Sequence, residues 1–211
     1  RISPTTRLCL GPRYVFIAPD LKRSRDKGFR RRDQECPRAL KVLICLGGGD
    51  QTRQLLNIIE ALGIASMPKL KIQLILGSSS EQELRSSISQ SKHKFKLSTW
   101  LSRSALGEEL ASSDYALIGG GTMLWEACYV GTPVLAVSVA RNQIANVSEM
   151  GRRGAIINLD LESKKCGLGE AILSNLFDLE RRSQLMYNSR RLVDGMGAHR
   201  VLEKISRRAF L

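Results

Sequence analysis

The feature that most constrains the fold is a repeated succession of an apolar run, a glycine turn and a helical segment. Residues 41–46 form a continuous apolar run that ends at three glycines, and residues 52–62 then carry apolar side chains at helical spacing. Residues 115–118 again lead into three glycines and a helical segment. A continuous apolar run of strand length indicates a parallel strand buried on both faces. The chain is therefore predicted to be an α/β protein with a Rossmann-like parallel sheet and helices on both faces.

The alternation divides the 211 residues into an N-terminal connector and one domain. Strands are predicted at residues 41–46, 71–76, 95–100, 115–118, 133–139 and 155–159. Helices are predicted at residues 52–62, 81–89, 105–112, 122–130, 143–152, 167–188 and 197–209. Residues 1–38 are interpreted as an irregular connector, interdomain or basic segment. Residues 39–211 are interpreted as a nucleotide-sugar-binding domain.

The net charge of +13 indicates phosphate-bearing partners, either nucleotides or nucleic acid. Much of the excess lies in residues 22–38 and in the C-terminal helices, where a solvated charged face is the simpler explanation. Aromatic residues make up 5% of the chain, and none interleaves with the basic run at residues 22–32 apart from Phe29. Aromatic side chains on which bases could stack are therefore lacking. The sequence also shows no helix-turn-helix, RRM or KH signature. A basic nucleic-acid-binding module is kept as the least favoured alternative.

The cysteines and histidines do not predict a metal centre. The five cysteines are scattered without a C-x-x-C pair, and neither His93 nor His199 stands at ligand spacing. No metal and no cofactor is predicted. No apolar run reaches eighteen residues, so no membrane span is expected, and the first ten residues lack the apolar region of a secretory signal. These features favour a cytoplasmic location, and a start at Arg1 rather than Met suggests a cut or processed end.

Candidate binding residues follow three of the predicted strands. Residues 47–49 are glycines whose N–H groups could approach a phosphate, although a simple tight turn explains them equally well. Residues 119–121 are also glycines, and Thr122 follows them at the start of a helix. Glu126 lies one helical turn further on, where a carboxylate can accept hydrogen bonds from a ribose diol. By itself, Glu126 would more often be an ordinary surface charge.

The third candidate group is the pair Asn142 and Gln143, which follow the predicted strand at residues 133–139. Amide side chains offer both donors and acceptors, which suits sugar hydroxyls and N-acyl groups. An N-cap role for Asn142 is equally compatible with this position. The carboxyl ends of parallel strands meet at one edge of a sheet, so the three groups are expected to share one site.

Several of these motifs resemble those of a known enzyme family. Gly-Gly-Gly-Asp at 47–50, Gly-Gly-Gly-Thr-Met-Leu-Trp-Glu at 119–126, Arg-Asn-Gln at 141–143 and the Asp-Gly-Met-Gly-Ala-His-Arg-Val run at 194–201 carry the resemblance. They resemble the C-terminal half of the UDP-2,4-diacetamido-2,4,6-trideoxy-β-L-altropyranose hydrolases of pseudaminic acid biosynthesis. More distantly, the layout is similar to the C-terminal domain of the MurG-type glycosyltransferases, which have the two-domain GT-B architecture.

The resemblance implies a UDP-sugar as the ligand, and roles for individual residues. The implied nucleotide-binding residues are Gly48, Gly49, Leu101, Gly120, Gly121, Thr122, Met123 and Glu126. Among them the glycines, Thr122 and Met123 would contact the diphosphate, Glu126 the ribose and Leu101 the uracil. Asn142 and Gln143 would face the sugar. The implied reaction is attack of water on the anomeric carbon, with release of UDP and a free sugar.

The sequence departs from that family in one respect. The hydrolases take their general base from a Gly-x-Gly-His motif of an N-terminal domain, and this chain has no such motif. No catalytic residue is therefore assigned, and a partner domain that carries the base is expected to be missing. The chain alone is predicted to bind without efficient turnover. A GT-B glycosyltransferase that uses a UDP-sugar donor is the main alternative.

Overall fold

The computed structural model describes residues 6–32, 40–64 and 66–209. Two 3-10 turns, Pro12–Tyr14 and Pro19–Leu21, precede the first helix. The strands are β1 (Lys41–Cys45), β2 (Lys71–Ile75), β3 (Lys94–Ser98), β4 (Tyr115–Gly119), β5 (Val134–Val137) and β6 (Ile157–Asn158). The helices are α1 (Lys22–Arg32), α2 (Thr52–Leu62), α3 (Glu81–Ser89), α4 (Arg103–Ser112), α5 (Thr122–Val130), α6 (Arg141–Arg152), α7 (Leu159–Cys166), α8 (Leu168–Leu176), α9 (Leu179–Leu192) and α10 (Gly197–Ala209).

The six strands form one parallel sheet in the order β3-β2-β1-β4-β5-β6. Within β1, alternate side chains enter two separate cores, because successive residues of a strand point to opposite faces. Val42 and Ile44 join the core on one face, and Leu43 and Cys45 join the core on the other. The predicted Rossmann-like α/β fold, with helices on both faces of a parallel sheet, is confirmed.

The strand order changes direction between β1 and β4, which are neighbours in the sheet. The connections after β1 lead toward β3, and those after β4 lead toward β6. The loops after β1 and β4 therefore diverge and leave a crevice at the carboxyl ends of these strands, the usual ligand position in open α/β sheets.

The segment predicted to be an irregular connector instead contains helix α1, which packs on α4 and α5. Leu21 is fully buried, and a side chain at Gly107 would lie 2.5 Å from Ser24 Oγ. The Arg25 guanidinium donates to the carbonyl oxygens of Tyr129, Val193 and Arg190. The sequence prediction missed these contacts because the charges of this segment hide the few residues that face inward. Residues 33–38 and the boundary at residue 38 lie outside the described residues.

The C-terminal region also differs from the prediction. The last strand is shorter than residues 155–159, and the helix predicted at residues 167–188 is two helices preceded by a third, α7. Gly167 has a φ of +84°, a conformation that ends α7 and that glycine adopts without strain. Asp178 begins α9 by accepting a hydrogen bond from the N–H of Arg181.

His93, which does not stand at metal-ligand spacing in the sequence, is a buried structural residue. Its Nδ1 accepts from the N–H of Leu70 at 3.1 Å, and its Nε2 lies 2.9 Å from the carbonyl oxygen of Leu62. The ring is therefore neutral, with the proton on Nε2, and joins the end of α2 to the start of β2. Burial lowers the pKa of His93 below its ordinary value of 6.5. His199, on α10, is exposed.

Because folding lowers the pKa of His93, acidification should reduce stability. The unfolded chain takes up the proton first, so the free energy of unfolding should fall as the pH decreases below about 6.5 and level off below the folded-state pKa. Thermal unfolding between pH 8 and 5 measures this effect. The variant His93→Gln has an amide that donates and accepts at every pH. In this variant the fall in the free energy of unfolding that is due to His93 should be absent. An unchanged slope in that variant would contradict the assignment.

Candidate functional site

A cleft of about 520 Å³ opens where the carboxyl ends of β1 and β4 diverge. It is lined by Cys45, Gly47, Gly48, Ile75, Gly77, Thr99, Trp100, Leu101, Arg103, Leu106, Gly121, Thr122, Met123, Glu126 and Gln143. These residues come from the ends of β1, β2 and β3, from the loops after these strands, and from the N-terminal two turns of α4, α5 and α6. The structure thus brings together seven of the ten predicted site residues. Gly49, Gly120 and Asn142 do not line the cleft.

The first turn of α5 is open to an anion. Gly121 is the N-cap residue of α5, no side chain within the described residues caps this end, and the first turn contains no acidic residue. The first N–H groups of a helix have no partner inside the helix, and the helix dipole makes this end positive. Thr122 is exposed and Met123 half-buried at the cleft wall. This end of α5 can therefore hold a phosphate group.

The corresponding end of α2 is already occupied. Asp50 Oδ1 accepts from the N–H of Thr52 at 3.0 Å and from its hydroxyl at 2.6 Å. The Thr52 hydroxyl and N–H bonds lower the pKa of the Asp50 carboxyl. The carboxylate would repel a phosphate at this helix end, so the two glycine turns are not equivalent. The turn at residues 119–121 is the better phosphate site.

The glycines of the two turns are required for different reasons. A Cβ atom at Gly119 would lie 2.6 Å from the carbonyl oxygen of Leu46, and one at Gly120 would lie 2.5 Å from Val147 Cγ2. Neighbouring protein atoms therefore leave no room for a side chain at Gly119 or Gly120. A Cβ at Gly121 would have no neighbour nearer than Gln143 Nε2 at 3.7 Å, and one at Gly48 none nearer than Trp100 at 3.5 Å. Space at Gly48 and Gly121 is therefore available to a ligand.

The loops after β1 and β2 hold each other in place. Gly77 has a φ of +59°, and a Cβ there would lie 2.4 Å from the carbonyl oxygen of Gly47. The Ser78 hydroxyl donates to the carbonyl oxygen of Gly48 at 2.8 Å, and the N–H of Gln51 donates to Ser79 Oγ at 3.0 Å. This side of the cleft is consequently built before any ligand binds.

Glu126 lies one helical turn below Thr122 and faces the cleft, where only 9% of the residue is exposed. Burial raises the pKa of this carboxyl, and the nearby positive charge of Arg103 opposes the rise. No ion pair to Glu126 is found among the described residues. A desolvated carboxylate that faces a cleft can accept two hydrogen bonds from a diol. The surface-charge interpretation of Glu126 is therefore wrong.

Gln143 has a definite structural role. Its Oε1 accepts from the N–H of Gly120 at 2.9 Å and from the N–H of Val139 at 3.1 Å, which ties the loop after β4 to the loop after β5. Its Nε2 lies beside Gly121 at the cleft wall. The amide is thereby oriented with its donor toward the cleft. Asn142 is exposed and caps no helix through its side chain.

Sequence reasoning missed the aromatic and cationic side chains at this site. Trp100 follows β3, is 71% exposed and lies against Gly48. Arg103 is the first residue of α4, whose N-cap Ser102 accepts from the N–H of Ala105. Leu101 stands between them in the cleft wall. The available signal was a tryptophan at the end of the strand predicted at residues 95–100.

The described residues contain no group of three or more His, Cys, Asp or Glu side chains that could hold a metal ion. Among the helices of this part of the chain, none is both long and apolar enough to cross a membrane.

Comparison with curated proteins identifies one relative of this chain. The chain is 25% identical over 214 residues to the spore coat polysaccharide biosynthesis protein SpsG of Bacillus subtilis (strain 168). The match covers 95% of this chain and 58% of SpsG, so this chain spans little more than half the length of that relative. No protein-family model matches the sequence.

Solved structures share the fold at low sequence identity. MurG of Acinetobacter baumannii superposes with a TM-score of 0.59 at 16% identity, over 85% of this chain and 53% of MurG. The UDP-GlcNAc 2-epimerase of Neisseria meningitidis, bound to UDP-GlcNAc, superposes with a TM-score of 0.60 at 16% identity, over 89% of this chain and 52% of the epimerase. The structure is thus similar to one half of a GT-B protein, and the MurG-like resemblance is confirmed for the fold.

The comparisons correct the enzyme class predicted from the sequence. The matched structures include proteins named as glycosyltransferases and a sugar-nucleotide epimerase, and the curated relative is named for polysaccharide biosynthesis. The predicted hydrolase activity was therefore wrong, and none of these similarities supports the pseudaminic acid pathway. The motifs at 47–50, 119–126 and 141–143 contribute residues to the cleft, whereas the run at 194–201 does not. This chain is homologous to SpsG and has the fold of a GT-B glycosyltransferase half.

Proposed function

We propose that this chain is the donor-binding part of a glycosyltransferase that uses a UDP-sugar in polysaccharide synthesis. The observation that carries the proposal is the uncapped N-terminus of α5, which opens into the cleft with the Glu126 carboxylate one turn deeper. A positive helix end and a buried carboxylate at this spacing match the diphosphate and the ribose of one nucleotide. The name of SpsG supports polysaccharide synthesis, and the UDP-GlcNAc in the epimerase supports a UDP-sugar.

Each part of the donor has a counterpart in the cleft. The diphosphate lies on the N–H groups of Thr122 and Met123, with Gly48 and Gly121 leaving room for it. The ribose diol donates to Glu126. The base lies against Leu101 and Trp100, and the sugar extends toward the donor face of Gln143. Gly49, Gly120 and Asn142 are not assigned ligand contacts, because they do not line the cleft.

This geometry acts mainly on the leaving group. During transfer the bond between the anomeric carbon and the β-phosphate oxygen breaks, and negative charge develops on that phosphate. The N-terminus of α5 stabilises this charge because its dipole and N–H groups are fixed in place before the reaction. The acceptor hydroxyl forms the new bond and gives up its proton. The site that binds the acceptor and the group that takes this proton are proposed to lie in a region corresponding to the rest of the longer relative SpsG.

Two neighbouring glycines provide the test of this assignment. Gly121→Ala should fold normally, since its Cβ has 3.7 Å of clearance, but should fill the phosphate position. Wild-type protein with UDP at a hundred times its dissociation constant should gain about 2.7 kcal/mol, a rise in unfolding temperature of about 5–10 °C. In Gly121→Ala this rise should disappear. UMP and ADP serve as nucleotide controls in the same thermal unfolding series.

Gly120→Ala is the matched variant. Its Cβ would meet Val147 Cγ2 at 2.5 Å and Gln143 Cβ at 3.0 Å. It should therefore cost about 1–3 kcal/mol of stability even without nucleotide. UDP stabilisation of Gly121→Ala equal to that of the wild type would refute the diphosphate site. ADP carries the same diphosphate, so stabilisation by ADP as large as that by UDP would instead contradict the selective contact of uracil with Leu101 and Trp100.

A further inference from the structure

A second cavity, of about 300 Å³, lies at the opposite end of the sheet from the nucleotide cleft. It is lined by Lys41, Lys71, Ile72, Gln73, Lys94, Phe95, Lys96 and Glu109. The first three lysines are the first residues of β1, β2 and β3, and Lys96 lies two residues further along β3. We call the surface formed by Lys41, Lys71, Lys94 and Lys96 the lysine groove.

The strand register places like charges side by side in this groove. Lys41 pairs with Lys71, and Lys71 pairs with Lys94, across neighbouring parallel strands. Adjacent strands are only about 4.8 Å apart, and side chains at i and i+2 of a strand point to the same face. Lys96 therefore lies on the same face as Lys94. Like charges at directly opposite positions destabilise a sheet, so the arrangement does not serve folding.

The neighbouring carboxylate neutralises only part of this charge. Lys41 Nζ donates to Glu109 Oε2 at 2.5 Å and to Ser112 Oγ at 2.6 Å. Lys96 Nζ is 3.8 Å from Glu109 Oε1. Lys71 and Lys94 are exposed, and within the described residues neither forms an ion pair. Glu109 is the single carboxylate that lines the groove, which leaves three positive charges in excess.

Protection of a sheet edge does not account for the cluster. Lysines on an edge strand prevent pairing with other chains, and that explanation suits Lys94 and Lys96 on β3. It does not apply to Lys71, because β2 lies between β3 and β1 inside the sheet. The lysine groove instead holds several ammonium groups side by side in a concave surface. Such an arrangement is suited to an anion that carries several charges. Ammonium groups bind phosphate as compact point charges with three donors each.

We propose that the lysine groove binds an anion with two or more phosphate groups. Such an anion would contact Lys71 and Lys94 first and relieve the repulsion between them. The phosphates could belong to a free oligophosphate or to the head groups of an anionic lipid surface, which present the same chemistry. The proposal does not depend on the function of the nucleotide cleft, because the two sites lie at opposite ends of the sheet.

Calorimetric titration with inorganic tripolyphosphate, in the presence of excess UDP, tests the proposal. The charge-neutral double variant Lys71→Gln/Lys94→Gln should bind about tenfold more weakly than the wild type. The matched control Lys164→Gln/Lys165→Gln removes two exposed lysines of α7, which lies away from the groove, and should bind like the wild type. Equal affinity of the two double variants, or no binding by the wild type, would overturn the proposal.

Two further measurements exclude misfolding and identify the source of the phosphate. Without anion, the groove variant should unfold at the same or a higher temperature than the wild type, because it removes like-charge repulsion. A lower unfolding temperature would contradict the repulsion argument and overturn the proposal. Groove-dependent sedimentation with phosphatidylglycerol vesicles, but not phosphatidylcholine vesicles, would assign a lipid surface. Tripolyphosphate binding without vesicle binding would assign a free oligophosphate.

Discussion

Glu126→Gln should weaken UDP binding by about 10- to 100-fold while leaving the protein folded. The substitution replaces a buried carboxylate by an amide of the same shape, and hydrogen bonds to a charged group contribute about 1.5–3 kcal/mol. Calorimetric titration with UDP at pH 7.5 measures the change. Glu60→Gln is a suitable control because Glu60 is an exposed residue of α2 that does not line the cleft. Equal UDP affinity in Glu126→Gln and Glu60→Gln would contradict the ribose assignment.

The same variant should have a distinctive pH dependence of stability. Burial raises the pKa of Glu126 in the folded protein, so at neutral pH its ionised form is held in an unfavourable environment. As the pH falls through the folded-state pKa toward 4.5, the folded protein takes up the proton first and gains stability relative to the unfolded chain. Glu126→Gln should therefore be more stable than the wild type at neutral pH, and this advantage should shrink on acidification. Thermal unfolding between pH 4 and 8 would show it.

Arg182→Met should cause the largest loss of stability, about 3–5 kcal/mol. The Arg182 guanidinium lies 3.4 Å from Asp114 Oδ1, and the side chains are 8% and 1% exposed. Asp114 Oδ2 also accepts from the N–H of Lys41 at 2.7 Å, which fixes the carboxylate at the start of β1. Breaking a buried ion pair by removing one partner costs far more than a surface ion pair contributes.

Denaturant unfolding would measure this loss, with Arg191→Met as the control. Arg191 is an exposed residue of the same helix, α9, and its replacement should change stability by less than about 1 kcal/mol. The double variant Arg182→Met/Asp114→Asn should recover part of the loss, because it removes the buried charge as well. Similar stabilities of Arg182→Met and Arg191→Met would show that the buried pair contributes little.

The sequence was sufficient to predict the strands, most helices and the glycine turns at one edge of the sheet. Residues 41–46 and 115–118 are apolar on both faces, and such runs have few alternatives to a buried parallel strand. Prediction failed in α1 and between residues 155 and 192. In α1 and the turn before it, the many basic side chains conceal the inward-facing Leu21, Ser24 and Arg25. After β6, helix α7 was missed, and α8 and α9 were predicted as one helix although Asp178 begins α9 as its N-cap.

The sequence by itself determined that this protein has a Rossmann-like sheet with candidate phosphate-binding turns after two strands. Both turns have three glycines, and only the tertiary structure shows which helix end is open to a phosphate. Asp50 occupies the end of α2, whereas the end of α5 is open above a buried Glu126. The register that aligns Lys41, Lys71 and Lys94 is likewise set by strand pairing. The reason is that local patterns fix the periodicity of a segment, while charge environment and free space depend on residues distant in sequence.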